Sequence, residues 1–181
     1  MASRETPIVE FGKEKYLILH NIRSVYNVGA IFRTADAIGI SKIYLTGYTP
    51  TPLDRFGQPR SDIAKSALGA EKTVPWKHAK NPTALLKRLK KEKISVVGLE
   101  QSARSVDYKK FRPLARTALL VGSEVKGLSK NLRDSCDTLV EIPMRGSMVR
   151  QAHHPRNTKR GKESLNVSVA TGIALFRLFD L

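Results

Sequence analysis

The sequence predicts an α/β domain, a mainly parallel sheet with helices on both faces, from three observations. Short apolar runs alternate with longer helix-like segments along the chain, the pattern of strands joined by crossover helices. The 181 residues, 41% of them hydrophobic, suffice for one well-buried domain of ordinary size. No internal repeat and no interdomain linker divides the chain, so 1–181 reads as a single unit. In such a fold, ligands bind at the carboxyl ends of the strands.

The first ten residues read as a loose leader, and "YLILH" (16–20) is the first strand. "NVGAIFRTADAIG" (27–39) has helical period: Val28, Ile31, Ala35 and Ile38 form an apolar stripe. Arg33 points roughly opposite, towards solvent or a ligand, and Ala30, Thr34 and Ala37 make a small-residue face beside the stripe. Asn27 sits at the helix start, where its side chain can cap the backbone or reach out of the turn. "KIYLT" (42–46) is the next strand. "TGYTPTPLDRFGQPR" (46–60) is a Pro/Gly-rich loop long enough for a lid or a substrate arm. "RSDIAKSALGAE" (60–71) and "NPTALLKRLKKEK" (81–93) read as helices, and "ISVVGLE" (94–100) as a strand. "TALLVG" (117–122) runs into Gly122 and a tight turn with Glu124 and Gly127, where glycine lets a ligand approach the backbone; Ser129 then caps the helix in "LSKNLRDSC" (128–136). "TLVEIPM" (138–144) is the last strand. In the closing helix "SLNVSVATGIALFRLF" (164–179), Ser164 is a natural N-cap, Leu165, Val169, Ile173 and Phe176 make a core stripe, and Asn166 suits a cap or a pocket equally.

Charge narrows the partners. The 32 Lys and Arg against 16 Asp and Glu give a formal charge of +16, which points to a polyanion, nucleic acid before a membrane surface. No apolar stretch approaches the roughly 20 residues of a membrane span. The opening "MASRETPIVEFGKEKY" lacks a signal-peptide core, so a soluble, cytoplasmic protein is expected. The single Cys136 forms no internal disulfide and reads as an inert, partly buried thiol. Neither GxGxxG nor GxxxxGK[ST] occurs, which leaves standard dinucleotide and P-loop sites unsupported.

Three segments together resemble the signature motifs of the SpoU-like (TrmH-like) RNA ribose methyltransferases of the SPOUT class. "HNIRSVYNVGAIFRTADAIG" is similar to the first motif, "ALLVGSEVKGLS" to the second, and "IPMRG…SLNVSVATGIAL" to the third, in the family's order. The resemblance implies a sheet whose C-terminal segment is threaded into a deep trefoil knot, an exception to the rule against knots. It implies S-adenosylmethionine as cofactor, bound by Leu99, Glu100, Gly122, Gly127, Ile142, Met144, Ser164 and Leu165. It implies a homodimer, to which the first helix and the "ALFRLF" end contribute, and an RNA substrate, tRNA or rRNA, methylated at a ribose 2′-hydroxyl. By the same resemblance Arg33 is the central catalytic residue, with Asn27, Glu124, Ser164 and Asn166 shaping the site. The family's Arg is proposed to act as a base; a phosphate clamp is physically preferable, because a guanidinium with a pKa above about 12 gives up its proton reluctantly.

The family pattern also exposes a departure. Removing Ser147 to Arg160 restores "IPMRGGKESLN", an ordinary version of the third motif, so 147–160 reads as an in-frame insertion. Closing a longer loop costs only about 0.6 kcal/mol per doubling of length, which the domain can tolerate. Adjacent His153 and His154, without an acidic or Cys partner nearby, do not make a metal site, and none is expected. The loop's Arg and Lys either contact RNA or are solvated, and deleting 147–160 is expected to leave methyl transfer intact. Two other readings stay open: a non-catalytic RNA-binding protein that keeps the fold, and a knotted enzyme that methylates a base.

Overall fold

A computed structural model describes residues 14–145 and 164–179. Seven strands, all parallel, form one sheet in the order β3-β2-β1-β6-β4-β7-β5. They are β1 (Glu14–His20), β2 (Lys42–Thr46), β3 (Trp76–Ala79), β4 (Ser95–Leu99), β5 (Val106–Asp107), β6 (Arg116–Val121) and β7 (Thr138–Glu141). The helices are α1 (Val25–Ala37), α2 (Ser61–Ala67), α3 (Ala70–Thr73), α4 (Pro82–Lys91), α5 (Lys130–Asp134) and α6 (Val167–Phe179). The mainly parallel α/β fold predicted from the alternation is thus present.

Both faces of the sheet are covered, so successive strand residues serve opposite cores. Leu17, Leu19, Ile43, Leu45, Leu119 and Val121 pack with Val28, Ile31 and Phe32 of α1 and with Leu175 and Leu178 of α6. Ile18, Tyr44, Val96, Ala118 and Leu120 pack on the other face against Leu85, Leu86 and Leu89 of α4 and Leu132 of α5. Gly29 lets α1 and α2 meet closely: a Cβ there would lie 2.5 Å from the Ile63 carbonyl oxygen.

From β1 the chain passes outward to β2, whereas from β6 it passes the other way to β7, although β1 and β6 are neighbours. The connections therefore diverge at the carboxyl ends of β1 and β6, the position where open α/β sheets hold ligands. Among the described residues no helix is long and apolar enough to cross a membrane.

Several local expectations change. β3 and β5 are strands that the apolar runs did not reveal, because "WKHA" is largely polar and β5 has two residues. The segment 60–71 is two helices, since Leu68 (φ 53°) and Gly69 (φ 98°) turn left-handed between them. β7 stops at Glu141, so Ile142, Pro143 and Met144 lie beyond it. In α6 the predicted stripe faces outward: Val169, Ile173 and Phe176 are 50, 36 and 46% exposed, and the buried face is Val167, Thr171, Ala174, Leu175 and Leu178. The helix is apolar on nearly every side, so its period alone did not say which side the sheet takes. The insertion at 147–160 and the path of a knot through it lie outside the described residues.

Candidate functional site

The carboxyl ends of β4, β6 and β7 and the start of α6 enclose a pocket of about 340 Å³. Its wall includes Leu99 and Glu100 from the end of β4, the turn from Gly122 to Gly127, Ile142 and Met144 after β7, and Ser164 and Leu165 before α6. All eight residues that the resemblance assigned to cofactor binding are thus on one cavity. Gln101, Ser123, Lys126, Glu141 and Ala170 also line it. Glu141 escaped notice because it ends a strand read as running to residue 144.

The turn between β6 and α5 is built tightly. Gly127 N–H donates to the Ser123 carbonyl at 2.9 Å, and Ser123 Oγ accepts from Val125 N–H at 3.3 Å. Gly127 has φ +61°, and a Cβ on it would run into the Glu100 carboxylate. That carboxylate is held in place by the Leu128 N–H, which donates to it. A Cβ on Gly122 would lie 2.7 Å from the Gly127 carbonyl carbon. The turn crossing itself thus demands Gly122, while Gly127 is demanded by its left-handed backbone and by the Glu100 carboxylate after β4, reasons distinct from the expected approach of a ligand.

Asn27, Glu124 and Asn166, from three distant parts of the chain, form a hydrogen-bonded chain. Asn166 Nδ2 donates to Asn27 Oδ1 at 3.2 Å, and Asn27 Nδ2 donates to Glu124 Oε1 at 3.1 Å. Glu124 Oε2 takes the Arg23 N–H at 3.3 Å. Asn27 does not cap its helix: Ser24 does, accepting from Asn27 N–H at 3.3 Å, and this frees the Asn27 amide to reach out of the turn. The cap of α6 is Asn166, whose Oδ1 accepts from Ser168 N–H at 2.8 Å and Val169 N–H at 3.4 Å. Ser164, the expected cap, lies too early, because the helix begins at Val167; it lines the pocket instead. Asn166 thus takes the cap role, and its amide donates to Asn27 without joining the described pocket wall. Ser129 caps α5 as expected, accepting from Leu132 N–H.

Arg33 stands apart from this chain. It is exposed on α1 and makes no hydrogen bond or ion pair among the described residues. Six residues beyond Asn27, it lies about 9 Å farther along the helix axis, and it is not part of the pocket wall.

The pocket concentrates acid in a basic chain. Among the described residues, Glu100, Glu124 and Glu141 line it against one cation, Lys126. Such a surface suits a ligand that is positive and partly apolar. Among the described residues no group of three His, Cys, Asp or Glu could hold a metal ion. Cys136 is half-buried and outside the described pocket wall, with its thiol pushed up to about 12 by desolvation, which leaves it unreactive.

Comparison with known proteins bears on the fold and the family. The model of the SpoU rRNA Methylase family matches residues 14–149. The 23S rRNA (guanosine-2′-O-)-methyltransferase RlmB of Salmonella typhi is 36% identical over 160 residues, which are 88% of this chain and 57% of that protein. The enzyme of the same description from Ralstonia nicotianae is 34% identical over 169 residues, 91% of this chain and 58% of its own. This chain therefore spans a little over half the length of these curated relatives. Among solved structures, the AdoMet-bound rRNA methyltransferase from Sinorhizobium meliloti aligns with TM-score 0.74 at 30% identity, over 92% of this chain and 56% of that one. The A. aeolicus TrmH/SpoU tRNA modifying enzyme aligns with TM-score 0.72 at 27% identity, over 91% and 73%.

Proposed function

This chain belongs to the SpoU rRNA Methylase family, and on that premise we propose that it transfers a methyl group from S-adenosylmethionine to a ribose 2′-hydroxyl of ribosomal RNA. The observation that carries the reading is the Asn166–Asn27–Glu124 hydrogen-bonded chain, which draws the three motifs together at the lip of the acidic pocket. The pocket fits the cofactor chemically. Carboxylates at Glu100, Glu124 and Glu141 suit its positive charge, and Leu99, Ile142, Met144 and Leu165 suit its apolar parts.

When bound, the cofactor supplies a methyl group already activated by its sulfonium, so the protein's task is placement. Glu124, fixed by Asn27 and by the Arg23 N–H, sets the rim over which the ribose hydroxyl enters. Ser164 stands on the same wall. Arg33, outside the described pocket wall and without an ion pair among the described residues, clamps the phosphate beside the target ribose as a bidentate donor. The C-terminal segment is knotted as in the family.

The working form is a homodimer. Val169, Ile173 and Phe176 recur at i, i+4 and i+7 on the outer side of α6 and supply an apolar face for a second copy. Pairing would also bring a second subunit's surface to the pocket, where a distant Arg33 meets the substrate. The curated relatives named above are bacterial rRNA enzymes, and the proposed site of action is the cytoplasm.

The reading is tested by incubating the protein with labelled S-adenosylmethionine and ribosomal RNA from a strain lacking the gene, followed by nucleoside mapping. A labelled 2′-O-methyl nucleoside is the expected product, and label on a base overturns the reading. Calorimetry with the cofactor alone separates a binding failure from a turnover failure.

A further inference from the structure

We propose that the hairpin between β2 and α2, residues 47–60, is a stacking finger that takes an unpaired base of the RNA next to the methylated nucleotide. The proposal rests on the methyltransferase reading for the identity of the RNA, but its evidence is separate.

The finger is stiff. Leu53 and Pro59 pair across it in an antiparallel bridge. Asp54 N–H donates to the Gln58 carbonyl at 2.9 Å, and Asp54 Oδ1 accepts from Phe56 N–H and Gln58 N–H at 2.8 Å each. Gly57, with φ +79°, turns the tip. The base is welded to the loop after β1: Tyr48 N–H donates to Asn21 Oδ1 at 3.2 Å and Ile22 N–H to Thr49 Oγ1 at 3.1 Å. Pro50, Pro52 and Pro59 further limit the backbone. Little ordering is left to be lost on binding.

What this scaffold displays is aromatic and cationic. Phe56 at the tip is 72% exposed, and the Arg55 guanidinium lies over its ring, 4.7 Å from the centroid. Tyr48 at the base is 56% exposed. Nearby carboxylates are occupied: Asp54 by the loop amides, and Asp62 by Arg60 at 2.6 Å. Among the described residues Arg55 makes no ion pair. An apolar ring with a free guanidinium is the pairing that holds single-stranded nucleic acid, the ring by stacking on a base and the cation by reaching ring or phosphate. A chain of formal charge +16 draws a polyanion to that surface in preference to a neutral or basic protein.

Its placement serves the reaction. The finger rises from the carboxyl end of β2, on the edge of the sheet that carries the pocket. β2 is two strands from β6 in the sheet, roughly 10 Å. Between them stand exposed Arg23, in the loop before α1, and Tyr26, on its first turn next to Asn27. A strand of RNA entering the site would cross this surface.

The test is a fluorescence titration of the full chain with a single-stranded 12-mer RNA containing one 2-aminopurine, whose emission falls on stacking. Phe56→Ala and Phe56→Trp are compared with the parent, with calorimetric S-adenosylmethionine binding and light scattering on each. Loss of one stacked base corresponds to about 1–3 kcal/mol, so Phe56→Ala should weaken RNA binding about 5- to 150-fold and abolish most of the quench. Phe56→Trp should restore both, and cofactor binding should be unchanged throughout. Equal affinity and quench in Phe56→Ala would overturn the proposal. So would a change of oligomeric state in Phe56→Ala, which would make the finger's partner a second copy. Quenching that depends on Phe56 in a protein that fails to bind the cofactor would leave the finger standing and sink the methyltransferase reading.

Discussion

Replacing Asn27 by Asp reverses one polar atom at the junction of the three motifs. In the parent, Asn27 Nδ2 donates to Glu124 Oε1 at 3.1 Å. In the variant, two carboxylate oxygens would face each other there. A hydrogen bond to a charged group is worth about 1.5–3 kcal/mol. Two like charges about 4 Å apart repel by about 1 kcal/mol in water and about 4 at an effective dielectric constant of 20. The site is half open to solvent, so about 1–2 kcal/mol applies, and the total is about 2.5–5 kcal/mol at neutral pH. The Asn166 Nδ2 bond to position 27 survives, because the new side chain also offers an oxygen. Urea unfolding followed by circular dichroism measures the loss. The decisive variant combines Asn27→Asp with Glu124→Gln: the new amide at position 124 donates back to the carboxylate at position 27, and its oxygen still takes the Arg23 N–H. The double variant should recover more than half of the loss. Acidification should also rescue Asn27→Asp, as one carboxyl of the pair takes up a proton. If the double variant equals the sum of the single ones within about 0.5 kcal/mol, the two side chains are not coupled and the hydrogen-bonded chain has no energetic standing.

Gly127→Ala forces a left-handed residue to carry a Cβ, about 1–2 kcal/mol, and drives that Cβ onto the Glu100 carboxylate. Calorimetry should find S-adenosylmethionine binding weakened at least tenfold, and parent-like affinity would show that the turn can relax. His20 donates Nδ1–H to Thr46 Oγ1 (2.9 Å), and its Nε2 accepts from Asn21 Nδ2 (3.0 Å), so the ring is held neutral; desolvation lowers its pKa below the usual 6.5. The unfolded chain then takes up the proton first, so this contribution is fully present above pH 6.5 and is lost as pH falls through the lower folded value. Denaturation midpoints between about pH 7.5 and 5 should fall in the parent more than in His20→Gln, and parallel curves would refute the assignment. Ile173→Asp places a charge in the exposed apolar face of α6, and light scattering should find monomers; an unchanged mass would remove that face from the proposed interface.

The alternation of apolar runs was enough for the parallel α/β fold, because strands and helices that share a core must each repeat at their own period. Motif order joined the eight pocket residues with Asn27, Glu124 and Asn166, although they are scattered along the chain. Periodicity failed on α6, where an apolar residue falls on almost every side and the choice of buried face belongs to the sheet beneath it. It failed on β3 and β5 for a related reason: edge strands need no long apolar run, only a neighbour to pair with. The start of the closing helix was also misplaced, as Ser164 and Asn166 are both competent caps and only the beginning of the helix at Val167 selects between them.

The chain alone encoded most of the elements and, among the polar site residues, Asn27, Glu124, Ser164 and Asn166, since local period, capping chemistry and motif spacing are properties of the chain. Which of those residues touch is settled by long-range packing. Glu124 and Asn166 lie 97 and 139 residues from Asn27 along the chain, and their polar atoms lie 3.1 and 3.2 Å from its amide in space. That closeness comes from β1 and β6 lying side by side while their connections leave in opposite directions, with α6 packed against α1. Sheet order of this kind is fixed by long-range packing, and no local pattern encodes it.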